Sequence, residues 1–211
     1  MGISKQYGIF KTEHMENVAV ITLNSPGTLN AFTWDFPDEL CRALAEIAGD
    51  KGIKVVVLKA EGKVFSAGAG MANMKSADTP YKVMAYVRSL NGMVRKIADL
   101  PQPVICAIDG PGAGGGANLA LSCDFVIASE RARFANVFVN LGIIPDTGGL
   151  WNLCRLAGTM RAKEIAMRGL TLGADEALKY GLISRVVPSS DLEKEVMSLA
   201  GELASKPAFS L

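Results

Sequence analysis

The stretch DGPGAGGGANLALSCD, residues 109–124, decides the fold of this chain. Five glycines fall within residues 110–116, directly after the apolar run PVICAI and directly before a segment of helical composition. A strand, a glycine turn and a helix start form an anion site, because unpaired N–H groups and the positive end of the helix dipole converge there. The stretch therefore predicts that an electron-rich group approaches this backbone closely.

One interpretation of the turn is a dinucleotide site. Gly110, Gly112 and Gly115 spell G-x-G-x-x-G, and Glu130 stands about twenty residues further on, where a ribose-binding acid is expected. Against this interpretation, Pro111 lies inside the turn, and the motif begins only at residue 110, whereas a nucleotide-binding fold normally opens with it. A lone motif is weak evidence, so an NAD-dependent oxidoreductase is only a remote alternative.

Composition narrows the function classes. The 211 residues carry 22 basic and 21 acidic side chains, with no basic stripe interleaved with aromatics, so no nucleic-acid partner is expected. The one histidine, His14, and four widely spaced cysteines form no set of metal ligands and no Ser-His-Asp triad, so no metal is expected. The chain shows no signal segment and no apolar run of about 18 residues, which predicts a cytoplasmic protein without a membrane partner. Trp34 and Trp151 are assigned to packing.

Strand and helix patterns alternate along the chain, which predicts an α/β fold with right-handed crossovers. Apolar, β-branched runs predict strands, and apolar residues at helical spacing predict helices. The predicted strands are 7–13, 18–23, 53–62, 103–110, 124–129 and 184–188, and the predicted helices are 33–50, 82–98, 117–123, 149–158, 160–169, 173–181 and 190–205.

A second glycine-lined loop follows another core strand. The segment VFSAGAGMANM, residues 64–74, repeats the order of strand, small residues and polar helix start. Two such loops can each supply one backbone N–H to the same oxygen atom, which makes an oxyanion hole. Backbone donors suit this task because their positions are fixed before the reaction begins.

With both loops, the sequence closely resembles the crotonase superfamily, the enoyl-CoA hydratases and isomerases. The resemblance is carried by VAVITLNSPGTLNAF, FSAGAG, the glycine stretch with its flanking strands, LGIIPDTGG and GADEALKYGLISRVV, which cover nearly the whole chain. It implies a crotonase-type spiral of β-β-α repeats with C-terminal helices and an acyl-CoA thioester substrate. It also implies no cofactor beyond the coenzyme A moiety of that substrate, and a homotrimer or hexamer.

The resemblance also implies a division of the chain. Residues 1–188 are expected to form the spiral core, and residues 189–211 to begin a C-terminal helical region that relatives continue further. The final amphipathic segment is expected to present Leu192, Val196 and Leu199 to a partner subunit.

Site residues follow from the resemblance at matching positions. The N–H groups of Ala69 and Gly115 are the implied oxyanion donors, and the backbone of Leu29, Ala67 and Ala69 is implied to contact the coenzyme A moiety. The aspartate that usually follows SAGA is Gly70 here. On this reading the glycines admit a thioester carbonyl to the helix start rather than a dinucleotide.

The two glutamates of family hydratases are both replaced. Their positions hold Asn118 and Phe138, and neither an amide nor a phenyl ring exchanges protons in the relevant pH range. Asn118 is a candidate to orient the substrate, or else to cap the helix or bond to backbone. Phe138 is a candidate to shape the acyl pocket, with core packing as the alternative.

Asp146 remains as the proton carrier. It lies in GIIPDTGG, where simple hydratases carry glycine and family isomerases carry aspartate. One carboxylate suffices for a 1,3-shift, and apolar neighbours raise its pKa. Capping of the following helix is the structural alternative for Asp146. The sequence thus predicts an isomerase that shifts a double bond or opens a ring, with an enoyl-CoA hydratase and a non-catalytic acyl-CoA-binding homologue as alternatives.

Overall fold

The fold is built on one seven-stranded sheet. A computed structural model describes residues 4–70 and 76–210, and the helix start predicted at residues 71–74 lies outside the described residues. The strands are β1 (Ser4–Gln6), β2 (Phe10–Met15), β3 (Val18–Leu23), β4 (Val55–Ala60), β5 (Val104–Ile108), β6 (Pro111–Ala113), β7 (Phe125–Ser129), β8 (Arg133–Ala135), β9 (Thr171–Gly173) and β10 (Arg185–Val187). The sheet has the order β1-β2-β3-β4-β5-β7-β10, antiparallel from β1 to β3 and parallel beyond.

Helices alternate with these strands as predicted. They are α1 (Phe36–Gly49), α2 (Pro80–Ala98), α3 (Gly115–Ala120), α4 (Gly149–Arg168), α5 (Ala174–Lys179) and α6 (Leu192–Ala204), with short 3-10 helices at Pro26–Thr28, Phe138–Leu141 and Ala208–Ser210. The two helices predicted between residues 149 and 169 are present, lie within the range labelled α4, and are separated by the non-helical residue Gly158. Its φ of 77° and ψ of 159° belong to a region that only glycine enters readily.

A second, smaller ladder accompanies the sheet. Strands β6, β8 and β9 form a three-stranded sheet, and single bridges join Phe32 to Ala69 and Ser66 to Gly112. From β5 to α4 the chain twice places a strand in the large sheet, a short strand in this ladder and then a helix. The α/β fold with a spiral of β-β-α repeats is thereby confirmed.

The central strands are buried on both faces, which explains their continuous apolar runs. One face packs into the main core with α1 and α2, and the other face, which includes Val20 and Ile105, is covered by α6. Leu192 and Val196 of α6 are buried in that contact, and Leu199 is partly buried beside them. The prediction that these three residues face a partner subunit is therefore wrong, because the chain's own sheet covers them.

Three further expectations concern membrane spans, metal sites and the division of the chain. None of the helices in the described part of the chain combines the length and apolar character that crossing a bilayer requires. Across residues 4–70 and 76–210, no group of three or more His, Cys, Asp or Glu side chains could hold a metal ion. The division of the chain at residue 188 stays a prediction.

Candidate active site

The two glycine-rich loops meet at the start of α3. Gly68 packs directly against it, with φ of +74°, and a Cβ built there would lie 2.5 Å from the carbonyl oxygen of Ala113 and 2.8 Å from the nitrogen of Gly115. Both the conformation and the space therefore exclude a side chain at Gly68. The next residue, Ala69, brings its nitrogen to 3.7 Å from the Cβ position of Gly115. The backbones of Ala69 and Gly115 thus lie side by side.

Both of these amides are available to a ligand. Within residues 4–70 and 76–210, neither the Ala69 N–H nor the Gly115 N–H donates a hydrogen bond to a backbone carbonyl. Gly115 is the first residue of α3, where an N–H has no intrahelical partner. Two backbone donors without backbone acceptors thus lie close together, and their role as an oxyanion hole stays a prediction.

A buried polar network holds the first loop in place. Ser66 Oγ donates to the carbonyl oxygen of Asn30 over 2.8 Å and accepts from the Gly68 N–H over 3.1 Å. The Ala67 N–H donates to the carbonyl oxygen of Leu29 over 2.9 Å. The predicted contacts to coenzyme A, Leu29, Ala67 and Ala69, are thus brought together on one loop system, and their role stays a prediction.

Asp146 is tied to the same place through its neighbour. Thr147 Oγ1 donates to Asp146 Oδ1 over 2.9 Å, and the same hydroxyl oxygen lies 3.2 Å from the Cβ position of Gly115. The carbonyl oxygen of Asp146 accepts from Asn118 Nδ2 and from the Gly149 N–H, both over 2.8 Å. The backbone of Asp146, and not its carboxylate, therefore bonds to the start of α4, and the carboxylate does not cap this helix.

The half-buried carboxylate of Asp146 lines a cavity of about 580 Å³. The side chains that line it are otherwise uncharged: Val83, Val87, Asn91, Ile143, Ile144, Pro145, Leu150 and Trp151, with Gly142, Gly148 and Gly149. Burial raises the pKa of Asp146, and the hydrogen bond from Thr147 partly opposes this shift. A carboxyl group with a raised pKa is better suited to accept and return a proton near neutral pH.

Asn118 and Phe138, the other predicted site residues, do not line this cavity. Asn118 is buried and holds the Asp146 loop through its amide, so backbone bonding, one of its two predicted roles, is what the structure shows. Phe138 is also buried, with its ring 3.6 Å from the Cβ position of Gly114. Its role in shaping an acyl pocket stays a prediction. Trp151 is 60% exposed and lines the cavity, so its assignment to packing is wrong.

Two residues of this site were not predicted. Thr147 joins the carboxylate to the start of α3, and Asn91 of α2 accepts a hydrogen bond from the Gly148 N–H over 3.2 Å. The position of Thr147 directly after the candidate acid could have drawn attention to it. Asn91 is remote in sequence from the loop that it holds, and no local pattern marks it.

These observations agree with comparisons to known proteins, which identify the chain as an enzyme of the enoyl-CoA hydratase/isomerase family. The family model described as enoyl-CoA hydratase/isomerase matches residues 13–211, so the chain belongs to this family. The crotonase resemblance is confirmed. The dinucleotide alternative is not supported, because residues Pro111–Ala113 form strand β6 rather than a phosphate turn.

Some individual relatives are named as isomerases and others as hydratases. The chain is 40% identical to 1,2-epoxyphenylacetyl-CoA isomerase of Escherichia coli (strain K12), covering 96% of this chain and 79% of that protein. It is 37% identical to a probable enoyl-CoA hydratase of Rhizobium meliloti (strain 1021), covering 97% and 77%. The crystal structure of enoyl-CoA hydratase from Bacillus anthracis superposes with a TM-score of 0.92 at 34% identity, covering 95% of this chain and 78% of that chain.

Proposed function

We propose that this enzyme is an acyl-CoA isomerase that uses Asp146 as its acid/base. One observation carries the proposal. Asp146 is the single titratable side chain that lines the apolar cavity within the described residues, and Thr147 links it to Gly115 beside Ala69. These contacts support a site that combines a proton carrier with two backbone amides.

The reaction follows from this arrangement. The carbonyl oxygen of an acyl-CoA thioester accepts hydrogen bonds from the N–H groups of Ala69 and Gly115, which form the oxyanion hole. When a proton leaves an α- or γ-carbon, negative charge moves onto that oxygen, and losing one such donor costs roughly 3–4 kcal/mol of transition-state stabilisation. The Asp146 carboxylate accepts the proton and returns it to a different carbon, so that the double bond moves and the carboxylate is regenerated.

The replacements at the hydratase positions favour isomerisation over hydration. Hydration of an enoyl thioester needs an activated water and a proton donor, whereas a 1,3-shift needs only one group that carries a proton. Asn118 and Phe138 cannot exchange protons, which leaves Asp146 alone for this work. The relative named 1,2-epoxyphenylacetyl-CoA isomerase supports extending the proposal to ring opening in an aromatic-derived acyl group.

Two alternatives are kept because specific observations favour them. Hydration through Asp146 alone is supported by the relatives named as hydratases. A homologue that binds acyl-CoA without converting it is supported by the loss of both glutamates.

The homotrimer or hexamer typical of the family is also part of the proposal. Sedimentation over a wide concentration range tests it, and a monomer at every concentration would contradict it.

Incubation with enoyl- and dienoyl-CoA esters in deuterated water tests the reaction. We expect an isomerised product with deuterium at the α- or γ-carbon, and a rate loss of about 10²- to 10⁴-fold in Asp146→Asn, the usual effect of removing a general base. Asp35→Asn is the matched control, because Asp35 is exposed and its side chain makes no capping hydrogen bond.

Other results would decide for the alternatives. A 3-hydroxyacyl-CoA product would identify a hydratase. Acyl-CoA binding without turnover of any ester would identify a binding protein. Tight NAD binding without affinity for coenzyme A esters, or an Asp146→Asn variant as fast as the wild type, would refute the proposal itself.

A further inference from the structure

Thr147 has a backbone conformation that its side chain strongly disfavours. Its φ is +51°, and a β-branched residue in this left-handed region is a genuine outlier. The other non-glycine residues with positive φ in the described part of the chain, Glu16, Leu29 and Asn30, are not β-branched. Strain of this kind persists only where the surrounding structure enforces it, and it clusters at functional sites.

The contacts on both sides of Thr147 enforce this conformation. On one side, the Asp146 carbonyl is held by Asn118 Nδ2 over 2.8 Å. On the other side, the Gly148 N–H donates to Asn91 Oδ1 over 3.2 Å. Thr147 itself is completely buried. The turn is thus clamped from α3 and from α2, and the strained residue is held with its hydroxyl in one place.

That place is beside the carboxylate of Asp146. Thr147 Oγ1 donates to Asp146 Oδ1 over 2.9 Å, and no other side chain of the described residues hydrogen-bonds to this carboxylate. The elements around the cavity present no further titratable side chain within the described residues: α2 presents Val83, Val87 and Asn91, the loop before α4 presents Ile143, Ile144 and Pro145, and α4 presents Leu150 and Trp151. The Thr147 hydroxyl is therefore the polar side-chain partner of the carboxylate.

We propose that Thr147 is a positioning residue of this site, whose hydroxyl holds one oxygen of the Asp146 carboxylate and favours its ionised, proton-accepting form. A hydroxyl donor stabilises a carboxylate more than a carboxylic acid, and here it acts against the burial that favours the neutral form. This inference rests on the proposed role of Asp146 as the acid/base. It adds that the strained turn at Thr147 serves to place this hydroxyl beside the carboxylate.

The test measures the ionisation of Asp146 directly. Protein labelled with ¹³C at the aspartate carboxyl groups is titrated by NMR, and the resonance missing in Asp146→Asn is assigned to Asp146. Thr147→Val keeps the shape and the β-branch but removes the hydroxyl, and we expect it to raise the pKa of Asp146. Thr147→Ser keeps the hydroxyl, and we expect it to restore the wild-type titration.

Turnover gives the second measurement. In Thr147→Val the acidic limb of the kcat profile moves to higher pH, because a larger fraction of Asp146 is protonated at each pH. At a pH on that limb we expect kcat to fall roughly tenfold or more, the usual consequence of losing a hydrogen bond to a charged group. KM changes little, because the Thr147 side chain is completely buried. Thr147→Ala repeats both measurements if the valine variant does not fold.

The two proposals fail in different ways. An Asp146 titration that is the same in Thr147→Val and the wild type overturns the role of Thr147. Equal losses of turnover in the valine and serine variants, without a change in the titration, assign Thr147 a purely structural role and also overturn it. A titration that shifts as expected supports the inference about Thr147, and if Asp146→Asn then keeps full turnover, only the proposed function is refuted.

Discussion

Replacing Gly68 by alanine measures how closely the two loops are packed. Gly68 has φ of +74°, and the left-handed conformation costs a residue with a Cβ roughly 1–2 kcal/mol. The new Cβ would also lie 2.5 Å from the carbonyl oxygen of Ala113 and 2.8 Å from the nitrogen of Gly115. These are backbone atoms, so relieving the overlap costs about a further 1–3 kcal/mol. We expect the free energy of unfolding to fall by roughly 2–5 kcal/mol in total.

Variants at two other glycines separate the cost of the backbone conformation from the cost of the overlap. Gly142 has φ of +69° and ψ of 22°, which is the left-handed conformation, and no atom lies within 4 Å of its Cβ position, so Gly142→Ala carries only the conformational cost of roughly 1–2 kcal/mol. Gly92 lies in α2 with neither a positive φ nor a neighbour within 4 Å. Gly92→Ala is therefore expected to stabilise the protein by about 0.5–1 kcal/mol through helix propensity.

Urea denaturation of the three variants and the wild type, at one protein concentration, gives these differences. The expected order of stability is Gly92→Ala, wild type, Gly142→Ala and then Gly68→Ala. If Gly68→Ala loses no more stability than Gly142→Ala, the overlap with α3 carries no cost. The close approach of Gly68 to Ala113 and Gly115 would then be refuted as a packed contact.

Two further predictions concern the site and the last helix. Burial raises the pKa of Asp146 above its value in the unfolded chain. The stabilisation that this group contributes is therefore present at pH values below its pKa in the unfolded chain, and it is lost as the pH rises through its pKa in the folded protein. Asp146→Asn is therefore expected to have a higher free energy of unfolding than the wild type at neutral pH, and this difference is expected to disappear in acid. Urea titrations at several pH values measure the difference. A variant that is more stable than the wild type only in acid would contradict the prediction. Leu192→Ala removes a buried contact of α6 with the sheet. We expect the free energy of unfolding to fall by about 2–5 kcal/mol, with unchanged sedimentation. Altered assembly at unchanged stability would contradict the assignment of this face of α6 to the sheet.

The amino-acid sequence by itself determined the order of the helices and of six strands of the large sheet, but it did not predict the short strands β1, β6, β8 and β9. The core strands could be predicted because strands buried on both faces are continuous apolar runs, as in Val18–Leu23 and Val104–Ile108. The two glycine-rich loops could be located because close backbone approach leaves a local mark, the absence of side chains. The family resemblance then indicated Ala69, Gly115 and Asp146, and the structure brings all three to one place.

Only the tertiary structure decided which surfaces and groups meet. From the sequence alone, the apolar face of α6 could equally have packed against a partner subunit. The periodicity indicates that Leu192 and Val196 are buried, but it does not indicate which surface buries them. The strained turn at Thr147 depends on hydrogen bonds from Asn118 and to Asn91, residues that belong to two other helices. Such contacts form when distant parts of the chain pack together, and they leave no spacing or composition in the local sequence by which to recognise them.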